Sequence, residues 1–161
     1  MRKKREISHT SLNFAIVVAA LTAALNLLWI AYDLGRLFWS TGTSIAQGGT
    51  GGLVDWSMVR MYLIVETALI IATFSLLSRK IKGVIVSVIA LMCVGVEYIW
   101  WFIWTRRIIE AAGLTEIPSL IPHAGNLYGA TGWNLAILVI ATALFAWEIK
   151  IIIGFLYSSR L

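Results

Sequence analysis

ISHTSLNFAIVVAALTAALNLLWIAY, residues 7–32, contains no Asp, Glu, Lys or Arg over 26 positions. A helix rises about 1.5 Å per residue, so roughly 20 apolar residues cross the hydrocarbon of a bilayer. The stretch exceeds that length, and it decides the fold class: the chain opens with a membrane span. Three further stretches are apolar over a comparable length. Spans are expected at about 11–39, 56–77, 83–112 and 131–149, with a short basic tail at 1–10 and a C-terminal tail at 150–161. The last span lies in a run free of charged residues from Ile117 to Trp147. The expected fold is therefore all-α: a single polytopic domain, a bundle of four transmembrane helices with two longer outer loops.

Composition agrees. Of 161 residues, 60% are hydrophobic and 13% charged, and mean hydropathy is +0.86. Soluble domains are about 45–50% apolar and about 25% charged, so an ordinary soluble globule and a disordered chain are excluded. The net charge of +5 comes from 13 Lys and Arg against 8 Asp and Glu. Those basic residues gather at span edges rather than in a patch for phosphates, so no nucleic-acid partner is expected. The one cysteine, Cys93, leaves no disulfide framework or CxxC pair. Its place in the middle of the third span reads as a small buried hydrophobe. His9 and His123 fall in opposite flanks, so neither a Ser/His/Asp nor a Cys/His set can be assembled, and no catalytic or metal site is expected.

Charge also orients the chain. Arg2, Lys3, Lys4, Arg5, Arg79, Lys80, Lys82, Lys150 and Arg160 all fall on one side, leaving Arg36, Arg60, Arg106 and Arg107 for the other. The positive-inside rule then places both termini in the cytoplasm. The basic run at the start precedes an apolar stretch too long for a signal-peptide core, so it is expected to stay as part of the first span. The localisation expected is a prokaryotic inner membrane.

Two outer connections are long. Residues 40–55 hold Gln47-Gly48-Gly49-Thr50-Gly51-Gly52, a flexible run that lacks the Lys-Ser/Thr of a phosphate-binding loop. Residues 113–130 hold Pro118 and Pro122 with Ile117, Leu120, Ile121 and His123, too apolar for free solvation and suited to contact with a partner. Small residues offer close helix approach: Ala19, Ala20, Ala23 and Ala24 in span one, Gly83 and Gly95 in span three, and Ala136, Ala141, Ala143 and Ala146 in span four. Ile71-Ala72-Thr73 and Ile140-Ala141-Thr142 are a short echo between the two halves.

Ionisable residues inside a span cost roughly 2.5–3.5 kcal/mol each on insertion scales, so each needs a reason. Asn26, Trp29, Asp33 and Arg36 form one stripe on span one. Tyr62, Glu66 and Thr73 form another on span two, beside Arg60. Glu97 is followed at helical spacing by Trp100, Trp101 and Trp104 on span three. If the stripes face inward, the outer half of the bundle holds a polar region. It reads as an internal ion-pair network, as a pocket in which a carboxylate among indoles takes a cation or a proton, or as a face for a subunit or lipid headgroup. Arg106 and Arg107 sit where side chains snorkel or meet lipid headgroups.

Three functions fit. The first is a non-catalytic structural or accessory subunit of a larger membrane complex, joined through aromatic and small-residue faces. The second is a small oligomeric transporter or channel using Glu66 and Glu97. The third is a membrane-embedded lipid-modifying enzyme, for which no reaction-specific motif is present. No cofactor is expected. Bound membrane lipid is, and a pigment or other hydrophobic ligand fits the outer half. The expected partners are other membrane subunits or further copies of the chain.

Overall fold

The computed structural model describes residues 9–46, 56–111 and 124–157. They form four helices: α1 (His9–Ala46), α2 (Trp56–Leu77), α3 (Ile81–Ala111) and α4 (Ala124–Tyr157). All four are long and apolar enough to cross a membrane, at His9–Gly35, Val59–Leu77, Ile81–Ile103 and Gly132–Tyr157. The chain is an integral membrane protein built as a four-helix bundle.

Two helices clearly outrun the expected spans. α1 continues to Ala46, into the first expected loop. α4 begins at Ala124, within the second, and ends at Tyr157 rather than near Ile149. Glu148 and Lys150 read as the end of a span because they are the first charges after a long apolar run. The helix passes through them because Glu148 turns into the bundle and Ile151-Ile152-Ile153 continue the apolar surface.

The helices form a ring. α1 packs on α2 and α4, α3 packs on α2 and α4, and among the described residues the backbones of the diagonal pairs stay apart. Each inward face steps by three and four residues, the repeat that lets neighbouring helices interlock along their length. On α2 it runs Tyr62, Val65, Leu69, Ala72 and Leu76. On α3 it runs Val84, Ser87, Leu91, Val94, Tyr98 and Trp101, and on α4 Asn134, Ile137, Ala141, Leu144 and Glu148. α1 supplies small residues at the same spacing, Ala15, Ala19 and Ala23, leading to Asn26 and Asp33.

Small residues divide between core and lipid. Ala19, Ala23 and Ala141 are buried, whereas Ala20, Ala24, Ala136, Ala143 and Ala146 face outward. Their spacing is helical, but one wheel cannot turn neighbouring pairs such as 19/23 and 20/24 to the same partner. Gly83 is a true close approach: a Cβ there would strike the Ser75 carbonyl oxygen and the Ser78 hydroxyl. Gly95 is not, because a Cβ there meets nothing within 4 Å. Cys93 is exposed on the bundle surface, not buried. Lipid accommodates a thiol as readily as a protein core does, so apolar context alone could not place it.

The α2–α3 turn is tight. Arg79 takes a left-handed conformation (φ 53°), and its N–H donates to the Leu76 carbonyl at 3.0 Å, closing the last turn of α2. The opposite seam, between α1 and α4, joins the first and last helices of the chain and is held by aromatic side chains. Trp29 stacks on Trp133 with ring centroids 5.3 Å apart. About 21 Å further along α4, Trp147 packs on Phe14 at 5.0 Å and donates its indole N–H to the Ser11 carbonyl at 3.2 Å. The end of the bundle carrying the α2–α3 turn is called the turn end below, and the other the loop end.

Candidate functional site

Polar side chains from all four helices enter the core of the loop half. Asn26 of α1 and Glu66 of α2 are both buried, and the Asn26 amide donates to Glu66 Oε2 at 3.0 Å. One turn closer to the loops, the Tyr62 hydroxyl donates to Asp33 Oδ2 at 2.8 Å. Tyr98 of α3 is fully buried and lies within the electrostatic reach of Glu66 and Tyr62. From α4, Asn134 is fully buried beside Trp133. The inward repeat fixes every one of these positions, so the polar groups converge because they occupy core steps of their helices.

The cluster is only partly satisfied. Asn26 Oδ1, the Tyr98 hydroxyl, the Trp133 indole N–H and both polar atoms of Asn134 have no hydrogen-bond partner. A buried amide or hydroxyl left unpaired costs about 1–3 kcal/mol. Among the described residues Glu66 receives one neutral donor and forms no ion pair. Near it stand the buried rings of Tyr62 and Tyr98, with the stacked Trp29 and Trp133 at the α1–α4 seam. A carboxylate among electron-rich ring faces is an environment for a compact organic cation, which gains from the charge and from the ring quadrupoles together.

The other expected site residues distribute differently. Asn26, Asp33, Tyr62 and Glu66 come together in the core. Glu97 does not join them: it lies at the edge of the α3 face and meets Arg60 Nη2 at 3.5 Å, with the Arg60 side chain 55% exposed. The Arg60 guanidinium also rests over the Trp100 ring at 4.8 Å. Trp100 is exposed while Trp101 is 2% exposed, so the tryptophans following Glu97 split between the bundle surface and the core. A stripe at +3, +4 and +7 spreads over roughly 100° of the helix wheel, and its edge, rather than its middle, meets the core here. Arg107 is exposed. Arg36, Trp104 and Arg106 lie on helices, but their side chains fall outside the described residues, as do Ile117, Leu120, Ile121 and His123 entirely.

Five buried polar residues escaped the sequence reading: Tyr98, Asn134, Ser87, Glu148 and Thr22. Tyr98 was hidden by its neighbour Glu97. Asn134 and Glu148 share one face of α4 at the steps 134, 137, 141, 144 and 148, a signal legible once the fourth span is extended past Ile149. Among the described residues no group of three or more His, Cys, Asp or Glu side chains could hold a metal ion. Comparison of the chain with protein-family models, with curated proteins and with solved structures gave no match.

Proposed function

We propose that this protein is a small membrane transporter that receives a compact organic cation in the loop half of its bundle, with Glu66 as the charged anchor. One observation carries the reading: Glu66 is buried with a single neutral donor, and around it three further helices contribute aromatic rings and unpartnered polar atoms. Among the described residues no basic side chain pairs with Glu66, and Arg60 is turned outward to Glu97. Asn26 orients the carboxylate. Tyr98 and Asn134 supply hydrogen-bonding groups that a bound species or its water can use.

The nine-to-four division of basic residues supports an orientation with both termini in the cytoplasm of a prokaryotic cell, so that the loop half opens to the outside. Four helices are too few to enclose a wide pore, so translocation calls for self-association or for rocking of the helices about the site.

The test uses the full chain in lipid nanodiscs with tetraethylammonium as probe. Thermal unfolding of the wild type should shift upward with probe concentration, reaching the equivalent of about 2.7 kcal/mol at a hundred times the dissociation constant. Glu66→Gln should keep the fold and lose the shift. An equal shift in both proteins, or none in the wild type, refutes the reading.

A second reading is an accessory subunit of a larger complex. An apolar groove of about 150 Å³ on the bundle surface favours it, lined by Leu91, Met92 and Gly95 of α3 and by Leu138, Thr142 and Phe145 of α4. Native mass spectrometry after gentle solubilisation separates the two. Stoichiometric foreign subunits support the second, and copies of this chain alone support the first.

A further inference from the structure

The turn half of the bundle holds a second buried carboxylate. Glu148 of α4 is 0% exposed, and the Ser87 hydroxyl of α3 donates to its Oε1 at 2.8 Å. Its other oxygen, Oε2, is buried without any partner. Glu148 lies about 21 Å from Asn134 along α4, and Ser87 only about 9 Å from the start of α3. Between this level and Glu66 the core is apolar, made of Ala19, Leu69, Leu91, Ile137 and Ala141. Thr22, the one hydroxyl there on α1, is occupied with the Val18 carbonyl at 2.7 Å. Glu148 therefore belongs to the turn end and not to the site described above.

No charge faces it. Its own helix carries Lys150, which is exposed and lies over the outer ring of Trp147 at 5.5 Å. α1 brings His9 at this end and α3 brings Lys82, both exposed. The α2–α3 turn adds Arg79 and Lys80, also exposed, and α2 has no titratable residue beyond Glu66. A carboxylate in hydrocarbon without a counter-charge is costly, and a proton on Oε2 removes the charge.

We propose that Glu148 and Ser87 form a buried proton-binding station on the turn-end side of the bundle. A proton from water at that face adds to Oε2, converting the carboxylate to a carboxylic acid, and returns to water on release. Ser87 holds Oε1 throughout, so the group stays in place in both states. The station stands on its own geometry and does not depend on a cation binding at Glu66.

Infrared difference spectroscopy of the full chain in nanodiscs, stepped from about pH 4 to about pH 10, tests it. A carboxylic C=O band should appear and vanish with pH. Glu148→Gln should remove the band, Glu66→Gln should leave it, and Ser87→Ala should move it to higher frequency by taking away one hydrogen bond. If Glu148→Gln does not fold, the Ser87→Ala shift decides. A band that persists in Glu148→Gln, that does not move in Ser87→Ala, or that is absent from the wild type overturns the proposal. Tetraethylammonium stabilisation measured on the same variants keeps the two sites apart, since losing one leaves the other intact.

Discussion

Gly83→Ala and Gly95→Ala are the same chemical change on the same helix, and they should have opposite effects. At Gly83 the new methyl would lie on the Ser75 carbonyl oxygen and the Ser78 hydroxyl. The hydroxyl can rotate away, but the carbonyl belongs to the α2 backbone and cannot. Relief requires α2 and α3 to part by about 1 Å at the turn end, and a gap of that size forfeits a quarter to a half of the dispersion attraction between atoms facing across it. Leu76 and Val84, both fully buried, lie on those facing turns. Overpacking costs typically 1–3 kcal/mol, and a clash with backbone belongs at the upper end, about 3 kcal/mol. At Gly95 nothing lies within 4 Å of the new methyl, so only the helix preference for alanine remains, about 0.5–1 kcal/mol in favour. The two variants should therefore differ by about 3–4 kcal/mol. Unfolding in mixed micelles by increasing dodecyl sulfate, followed by tryptophan fluorescence, measures the gap. If the two midpoints correspond to stabilities within about 1 kcal/mol of each other, α2 and α3 are not as close as described.

Two further outcomes are expected. Tyr62→Phe removes the donor to Asp33 and leaves that buried carboxylate short of a hydrogen bond, which should lower stability by about 1–3 kcal/mol in the same assay. An unchanged midpoint would mean that Asp33 does not depend on Tyr62. A reporter fused after Leu161 should read cytoplasmic and one inserted at Gly49 external, and reversed signals would refute the orientation drawn from the basic residues.

The fold was legible because a bilayer imposes length and polarity together. Four long apolar stretches leave few arrangements, and α2 begins and ends where its composition changes, at Trp56 and Leu77. The site was legible where a polar residue stood alone on an apolar helix. Asn26, Asp33, Tyr62 and Glu66 have apolar or small neighbours, so the wheel that buries the neighbours buries them too. It was not legible on α3, where Glu97, Tyr98, Trp100 and Trp101 are adjacent and a rotation of half a residue decides which faces the core. Glu97 pairs with Arg60 at the edge of that boundary, and Tyr98 beside it faces the core. On α4 the obstacle was different. A charge after a long apolar run ordinarily marks the water boundary, and Glu148 has that position without that meaning. The phase of the core repeat, counted from Asn134, distinguishes the two cases.

The aromatic contacts between α1 and α4 bear on how the molecule is made. A nascent chain delivers its helices in order, so the first three reach the membrane before α4 exists. Until then the ring has a missing wall, and Asn26, Glu66, Tyr98 and Ser87 border an open trough rather than a closed core. The fourth helix arrives carrying Asn134 and Glu148, the polar residues that match the trough, and Trp133 and Trp147, the rings that meet Trp29 and Phe14 on its far rim. α4 is thus the closing element of biogenesis. The interval before it is the time when this protein is most exposed to wrong partners, and when a partner with a matching polar helix could take its place.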